Sequence, residues 1–280
     1  MKQLRTATFR DAQAIDSLIG ALAPLPRDLL SWVNQADAHL ALVDGTDVVG
    51  FGARMRHRAH PQRDLAAMFV LEGVEREFAD ALYYAIPAKR PLKIRLPADD
   101  YDGLDIARDH GFVERIRSAT YRVAADAFAE GPHSYAVLPV EHATRELTDA
   151  FTLLYADSHR WDPPAIYTRR YVRQAMLNGA QHMAVVRDDD GAILGAGATH
   201  ASDDASVAAD IALVGALNQA HPDADDITGA LLAHLCAFYA EDPAPLWFEV
   251  DSGEGTNAAL ARSVTHLAPA EDEVVILTTD

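Results

Sequence analysis

Apolar positions along the chain recur in one order, and that order occurs twice. Alternating apolar runs read as half-buried strands, and apolar residues spaced three and four apart read as helices. In the first half Gln3–Thr8 reads as a strand, and Ala14, Ile15, Leu18, Ile19 and Leu22 share one helical face. Pro24 and Pro26 end that helix, and a second short one is expected near Arg27–Asn34. His39–Val43 and Val48–Arg56 flank Asp44-Gly45 and read as a hairpin. A strand over Leu65–Leu71, a helix over Glu75–Ala85, a strand over Pro91–Leu96, a helix over Tyr101–His110 and a strand over Arg115–Val123 follow.

The second half repeats the series. Tyr135–Pro139 reads as a strand and Ala143–Tyr155 as a helix, and Pro163-Pro164 opens another helix to about Leu177. Met183–Arg187 and Ala192–His200 form a hairpin around Asp188–Gly191. Val207–Val214, Ile227–Ala240, Leu246–Val250, Asn257–Val264 and Glu273–Thr278 then alternate strand and helix. Gly131-Pro132 is strong punctuation between the halves. The expectation is two α/β (α+β) domains of one type, 1–130 and 131–280.

Composition narrows the class. Of 280 residues 49% are hydrophobic and 24% charged, the mix of a globular chain. No apolar run is long enough for a membrane helix. Met1-Lys2-Gln3-Leu4-Arg5-Thr6 has no apolar signal core, and Cys236 is the single cysteine. A cytoplasmic protein is expected, without disulfides or a cysteine zinc site. The charge is uneven. Residues 1–130 hold 17 basic and 19 acidic side chains, and residues 131–280 hold 7 and 23, a net of −16. That field repels nucleic acid and anionic membranes and attracts cations; solubility alone would also account for it.

The element order, together with particular stretches, resembles the GNAT superfamily of acyl-CoA-dependent N-acyltransferases. Leu42–Gly52 and Val185–Gly197 look like the family's second and third strands, each with Gly-x-Gly on the return strand (Gly50/Gly52 and Gly195/Gly197). Ile106–Phe112 resembles the helix ending in Gly-Phe, and Phe248-Glu249-Val250 with Asn257 resembles the fifth strand and its downstream Asn. The resemblance implies two tandem domains, each a mixed, mostly antiparallel sheet flanked by helices. It implies acetyl-CoA or another acyl-CoA as co-substrate, no metal, and a small-molecule amine, possibly cationic, as acceptor.

The family holds the CoA pyrophosphate after its fourth strand with Gln/Arg-x-x-Gly-x-Gly/Ala, where loop amides and a helix N-terminus cradle the anion. In the first half Arg76-x-x-Ala79-x-Ala81 stands there, and because Arg76 keeps the cation and this half has a net charge of only −2, the donor is expected there first. In the second half His221–Ala230 offers Ala224, Ile227 and Gly229, or Asp225, Thr228 and Ala230, without a cation. Its aspartates would face a pyrophosphate; capping the helix is their other role. The thioester oxyanion would meet backbone N–H groups near Val70-Leu71 or Val214-Gly215. The family's thiolate-protonating tyrosine maps to Ala107 and to Val264, neither of which carries a proton to give.

Asp210, among Ala208-Ala209 and Ile211-Ala212, and Glu249, which shares a strand face with Asp251, are candidate general bases or outward-facing acids. The loop holding Tyr155, Asp157, His159, Trp161 and Asp162 would lie over the acceptor, or else fill a domain interface. Arg54, Arg56 and Arg58 form a basic stripe, either for a phosphate or for ion pairing. His57 and His60 read as a surface pair. An N-acyltransferase is the leading function; a binding protein that has lost the donor site, or an enzyme with another donor, are the alternatives.

Overall fold

The computed structural model describes residues 2–21, 38–56, 60–71, 76, 80, 81, 85, 90–128, 133–165, 168–253 and 255–279. The helix expected near Arg27–Asn34, together with His57 and Arg58, lies outside the described residues. The chain divides into two compact units, Met1–Arg115 with Val275–Asp280, and Ile116–Val274.

In the first unit β1 (Lys2–Thr6) is followed by α1 (Ala12–Ala21), the hairpin β2 (Ala38–Asp44) and β3 (Asp47–Arg56), then β4 (Asp64–Val70), β5 (Leu92–Pro97) and α2 (Tyr101–Asp109). The hairpin turns where Asp44-Gly45 predicts, with Gly45 at φ +63. Ile15 and Leu18 of α1 pack on Ala41, Phe51 and Ala53 of one sheet face. Leu104 and Ala107 of α2 pack with Ile94 and Leu96 in the cluster on the other. Of the helix expected over 75–85, the described residues 76, 80, 81 and 85 are helical.

The second unit takes up β6 (Val113–Val123) from Ile116 onward. Its further elements are β7 (Val137–Pro139), α3 (Arg145–Ser158) and α4 (Thr168–Tyr171), which runs on as a π-helical turn over Val172–Leu177. The hairpin β8 (Ala180–Arg187) and β9 (Ile193–His200) comes next. Then follow β10 (Ala209–Ala216), α5 (Ala224–Ala237), β11 (Leu246–Asp251), α6 (Thr256–Val264) and the start of β12 (Asp272–Thr278). The strand order is β6-β11-β10-β9-β8-β7, antiparallel but for β10 beside β11. Helices α3 and α5 cover opposite faces. Leu147, Phe151 and Leu154 of α3 meet Val185, Ala196 and Ala198, while Ile227, Leu231 and Leu235 of α5 meet Val186, Val214 and Phe248. The Gly-x-Gly of β9 lets α5 approach closely, for a methyl at Gly195 would stand 2.5 Å from Ile227 Cγ2 and one at Gly197 2.7 Å from Leu235 Cδ1.

These units do not coincide with a division at Gly131. The last strand of the first half, β6, pairs residue for residue with β11 from Ser118↔Asp251 to Val123↔Leu246. The end of β12 instead lies beside β5, where Thr279 N–H donates to the Leu92 carbonyl at 3.0 Å. An alternating strand carries its own facing in sequence but not the identity of its neighbour.

Candidate active site

The parallel pairing of β10 with β11 covers only Ala209↔Leu246, Asp210↔Trp247 and Ile211↔Phe248. Beyond it β10 continues to Ala216 and β11 to Asp251, and a register shift between Ile211 and Leu213 marks where they part. The two strands therefore form a fork, with Val214, Gly215 and Ala216 past its vertex and still paired to β9. In the first unit β4 and β5 pair only at Asp64↔Leu92 and Leu65↔Lys93, a second fork of the same kind.

The mouth of the second unit's fork is held by a cross-link between α3 and α6. Asp157 Oδ2, near the end of α3, accepts from the Thr256 N–H at 2.8 Å and from its hydroxyl at 2.9 Å. Asn257 Nδ2 donates to the Ser158 carbonyl at 3.0 Å. Asp157 also pairs with Arg160. Gly255, at φ +73, makes the turn into α6, and a Cβ there would stand 2.3 Å from Asp157 Oδ2. The link seats Thr256, 1% exposed, against Gly215. A methyl at Gly215 would stand 2.8 Å from Thr256 Cγ2 and 3.8 Å from both Leu154 Cδ2 and Gln219 Nε2.

Four rings line up beside this link. Tyr171 lies 5.6 Å from Tyr155, Tyr155 4.2 Å from His159, and His159 6.5 Å from Trp161, the last two pairs near-parallel. Asp162, fully buried, lies in the same loop, with its N–H donating to the His159 carbonyl at 3.0 Å. Burial, then the neighbouring Tyr171 and Asp162, push the Tyr155 hydroxyl above the usual tyrosine pKa, so it stays protonated. His159 Nδ1 lies 2.9 Å from the Tyr155 carbonyl. The same nitrogen lies 2.8 Å from Ser158 Oγ, a hydroxyl that can either donate to it or accept from it.

The loop from β10 to α5 holds Gln219, whose Nε2 donates to the Ala216 carbonyl at 2.7 Å. Gln219-x-x-Pro222-x-Ala224 has the spacing of the pyrophosphate motif and ends at the first residue of α5. Sequence reasoning missed it because Pro222 replaces the first glycine; the strand end at Ala216 was the signal that fixes the frame. The aspartates here do not act as side-chain caps. Asp223 holds the N-cap position without a side-chain cap bond and accepts from Tyr135 Oη at 2.8 Å. Asp225 accepts from Arg262 Nε at 3.1 Å. Asp226 accepts from the Ser134 N–H at 3.1 Å and lies 3.3 Å from His133 Nδ1. Gly229 lies under His133, whose Cε1 would stand 3.0 Å from a methyl there.

Other candidates fall elsewhere. Asp210 lies at the tied end of the fork, opposite His200 and Trp247, four residues or about 13 Å of strand from Val214. Glu249 is exposed and accepts from Ser118 Oγ at 2.9 Å. Val264 is fully buried in the core. In the first unit Val70 pairs with Gly50, and the Leu71 N–H, expected to face an oxyanion, already donates to the Val49 carbonyl at 3.0 Å. Arg76 forms an ion pair with Asp109. Ala81 is helical and half-buried, and Ala79 lies outside the described residues. Arg54 of the basic stripe pairs at 3.0 Å with Asp64, a buried carboxylate that also faces Arg90. His60 is buried, not a surface residue. No helix among the described residues is long and apolar enough to cross a membrane.

Compared by sequence, the chain matches no family model and no curated protein. Compared by structure, it is similar to a GCN5-related N-acetyltransferase from Sphaerobacter thermophilus, with a TM-score of 0.62 at 14% identity over 99% of this chain and 95% of that one. It is similar to a tandem GNAT protein from the clavulanic acid biosynthesis pathway, with a TM-score of 0.62 at 14% identity over 100% and 98%. An acetyltransferase of the GNAT family from Colwellia psychrerythraea has a TM-score of 0.56 at 13% identity over 99% and 100%. At these identities the likeness is one of fold: the chain has the tandem GNAT fold.

Proposed function

We propose that the chain is an acyl-CoA-dependent N-acyltransferase acting on a small amine-bearing molecule, with the second unit as its catalytic unit. The fork between β10 and β11 carries this reading, because it leaves the β11 side of Val214–Ala216, buried as these residues are, without a strand ladder, next to a helix start and a run of rings. Acyl-CoA fits the residues present. Gln219 and the first turn of α5 would receive the pyrophosphate, and the three aspartates there are each engaged by another side chain or an N–H. The ring-lined loop with buried Asp162 would receive the amine, and the net −16 of residues 131–280 favours a cationic one.

In this reading the neutral amine attacks the thioester carbonyl, and the Val214 N–H, which strand alternation turns away from β9, stabilises the oxyanion. His159 Nε2 takes the proton from the amine nitrogen. Collapse of the adduct breaks the C–S bond, and the imidazolium returns the proton to the departing thiolate. One residue thus serves both steps where the family's tyrosine is replaced by buried Val264. Such proton transfers contribute about 10²–10⁴-fold.

A second reading, a binding protein of this fold, draws on Pro222 in place of glycine at the phosphate loop. Release of CoA thiol from acetyl-CoA with a panel of polyamines and amino sugars separates the two. The enzyme reading expects amine-dependent thiol release, lowered at least about a hundredfold by His159→Gln. No release with any amine, together with unaltered amine binding, would favour the second reading.

A further inference from the structure

The wall beside Gly215 is made by two side chains with different supports. Leu154 approaches from α3, and its Cδ2 would stand 3.8 Å from a methyl on Gly215. Thr256 approaches from α6, and its Cγ2 would stand 2.8 Å from the same methyl. Leu154 is a core residue among Leu147, Phe151 and Val185. Thr256 is not held by apolar packing alone. Its N–H and its hydroxyl both donate to Asp157 Oδ2, at 2.8 and 2.9 Å, which fixes the rotamer and turns the remaining branch, the methyl, toward Gly215.

A β-branched side chain has few rotamers even without such bonds. With both donors engaged, the methyl can swing aside only by breaking hydrogen bonds in a buried place. Thr256 is 1% exposed, and water cannot replace those bonds there without opening the site. Asn257, the next residue, is tied to the Ser158 carbonyl, so the first turn of α6 cannot retreat independently of α3.

We infer that Thr256 limits the acyl group this protein accepts to acetyl, its methyl closing the place beside Gly215 where a longer chain would run. This rests on the reading that an acyl thioester occupies the fork between β10 and β11, and deepens it by naming the donor class. Asp157 is then a positioning residue, acting on specificity only through Thr256. The roles of the two Thr256 branches separate cleanly: the hydroxyl anchors and the methyl selects.

The test measures dissociation constants of acetyl-CoA and butyryl-CoA by titration calorimetry on the full chain, and so requires no acceptor. Thr256→Ser removes the methyl and keeps the anchor; Thr256→Val keeps a methyl and loses the hydroxyl. The unaltered protein is expected to bind acetyl-CoA at least tenfold more tightly than butyryl-CoA, since a pocket discriminates roughly 10–200-fold per methylene. Thr256→Ser should shrink that ratio at least fivefold by improving butyryl-CoA, with acetyl-CoA changed less than threefold. Thr256→Val, folded by near-ultraviolet circular dichroism, should keep the preference for acetyl-CoA. An unchanged ratio in Thr256→Ser, or a lost preference in Thr256→Val alone, would overturn the inference while leaving the acyltransferase reading intact. Absence of binding by either acyl-CoA to the unaltered protein would overturn that reading, and this inference with it.

Discussion

Asp157 Oδ2 accepts both hydrogen bonds that Thr256 can donate at the start of α6, although the two residues are 99 apart in sequence. The carboxylate thereby does for α6 what a local N-cap does for most helices, from the end of another helix. Asp157→Ala leaves a buried N–H and hydroxyl without that acceptor, at a cost of about 1–3 kcal/mol. A fall in thermal midpoint of about 2–4 °C per kcal/mol is expected. Asp157→Asn, which keeps one acceptor oxygen, should fall less. Equal melting of Asp157→Ala and the unaltered protein would show that the link bears no stability.

Gly255 makes the turn that brings Thr256 to Asp157. Its φ of +73 with ψ −134 lies in a region that side chains other than glycine's enter at a cost of roughly 1–3 kcal/mol, and a Cβ would also stand 2.3 Å from Asp157 Oδ2. Gly45, at φ +63 in the β2–β3 turn, has nothing within 4 Å of its Cβ position. Gly255→Ala is therefore expected to lower the urea midpoint more than Gly45→Ala does. The reverse order would contradict the close contact.

Acid should loosen the first unit through Asp11. Its carboxylate accepts from Arg5 at 2.7 and 2.8 Å and from the Thr8 N–H at 2.7 Å. Arg5, then Thr8, hold its pKa well below the usual carboxylate range. A carboxylate depressed in the folded state stabilises above its unfolded pKa of about 3.9, and that contribution fades as the pH falls toward the folded value. Asp11→Asn should therefore narrow the gap in thermal midpoint between pH 6 and pH 3. An unchanged gap would remove Asp11 from the account of acid sensitivity.

If a cationic amine stacks on the rings of His159 and Trp161, beside Tyr155 of α3, Trp161→Ala should weaken its binding by roughly 0.5–2 kcal/mol. Affinity of the unaltered protein should also fall with salt, as the Debye length shrinks from about 10 Å at 0.1 M to about 3 Å at 1 M. Titration of spermidine and glucosamine at both salt concentrations checks both effects. Salt-insensitive affinity, unmoved by Trp161→Ala, would place the amine elsewhere.

Much of the architecture was legible because its determinants are local. Asp44-Gly45 and Asp188–Gly191 announce their hairpins, and Gly195 and Gly197 mark where α5 must come close. The helix expected from Ala143 begins at Arg145, behind Thr144, whose hydroxyl accepts from the Leu147 N–H. What the sequence could not carry is pairing across distance. Apolar neighbours made Asp210 read as a candidate base or an outward-facing acid, and nothing local tells that the parallel ladder ties at Asp210 and opens only past Ile211. Asp157 read as a polar contact for substrate, whereas Thr256 and Arg160 engage it. The acidic run at Asp223–Asp226 hid a motif whose frame depends on β10 ending at Ala216.

The central claim, that the fork of the second unit receives acyl-CoA, is tested most directly by hydrogen–deuterium exchange with and without acetyl-CoA. The account predicts slowed exchange over Leu213–Gln219 and the first turn of α5, Ala224–Ile227, with Leu65–Leu71 unaffected. Protection confined to Leu65–Leu71 and the stretch around Arg76, or protection nowhere at saturating acetyl-CoA, would contradict it.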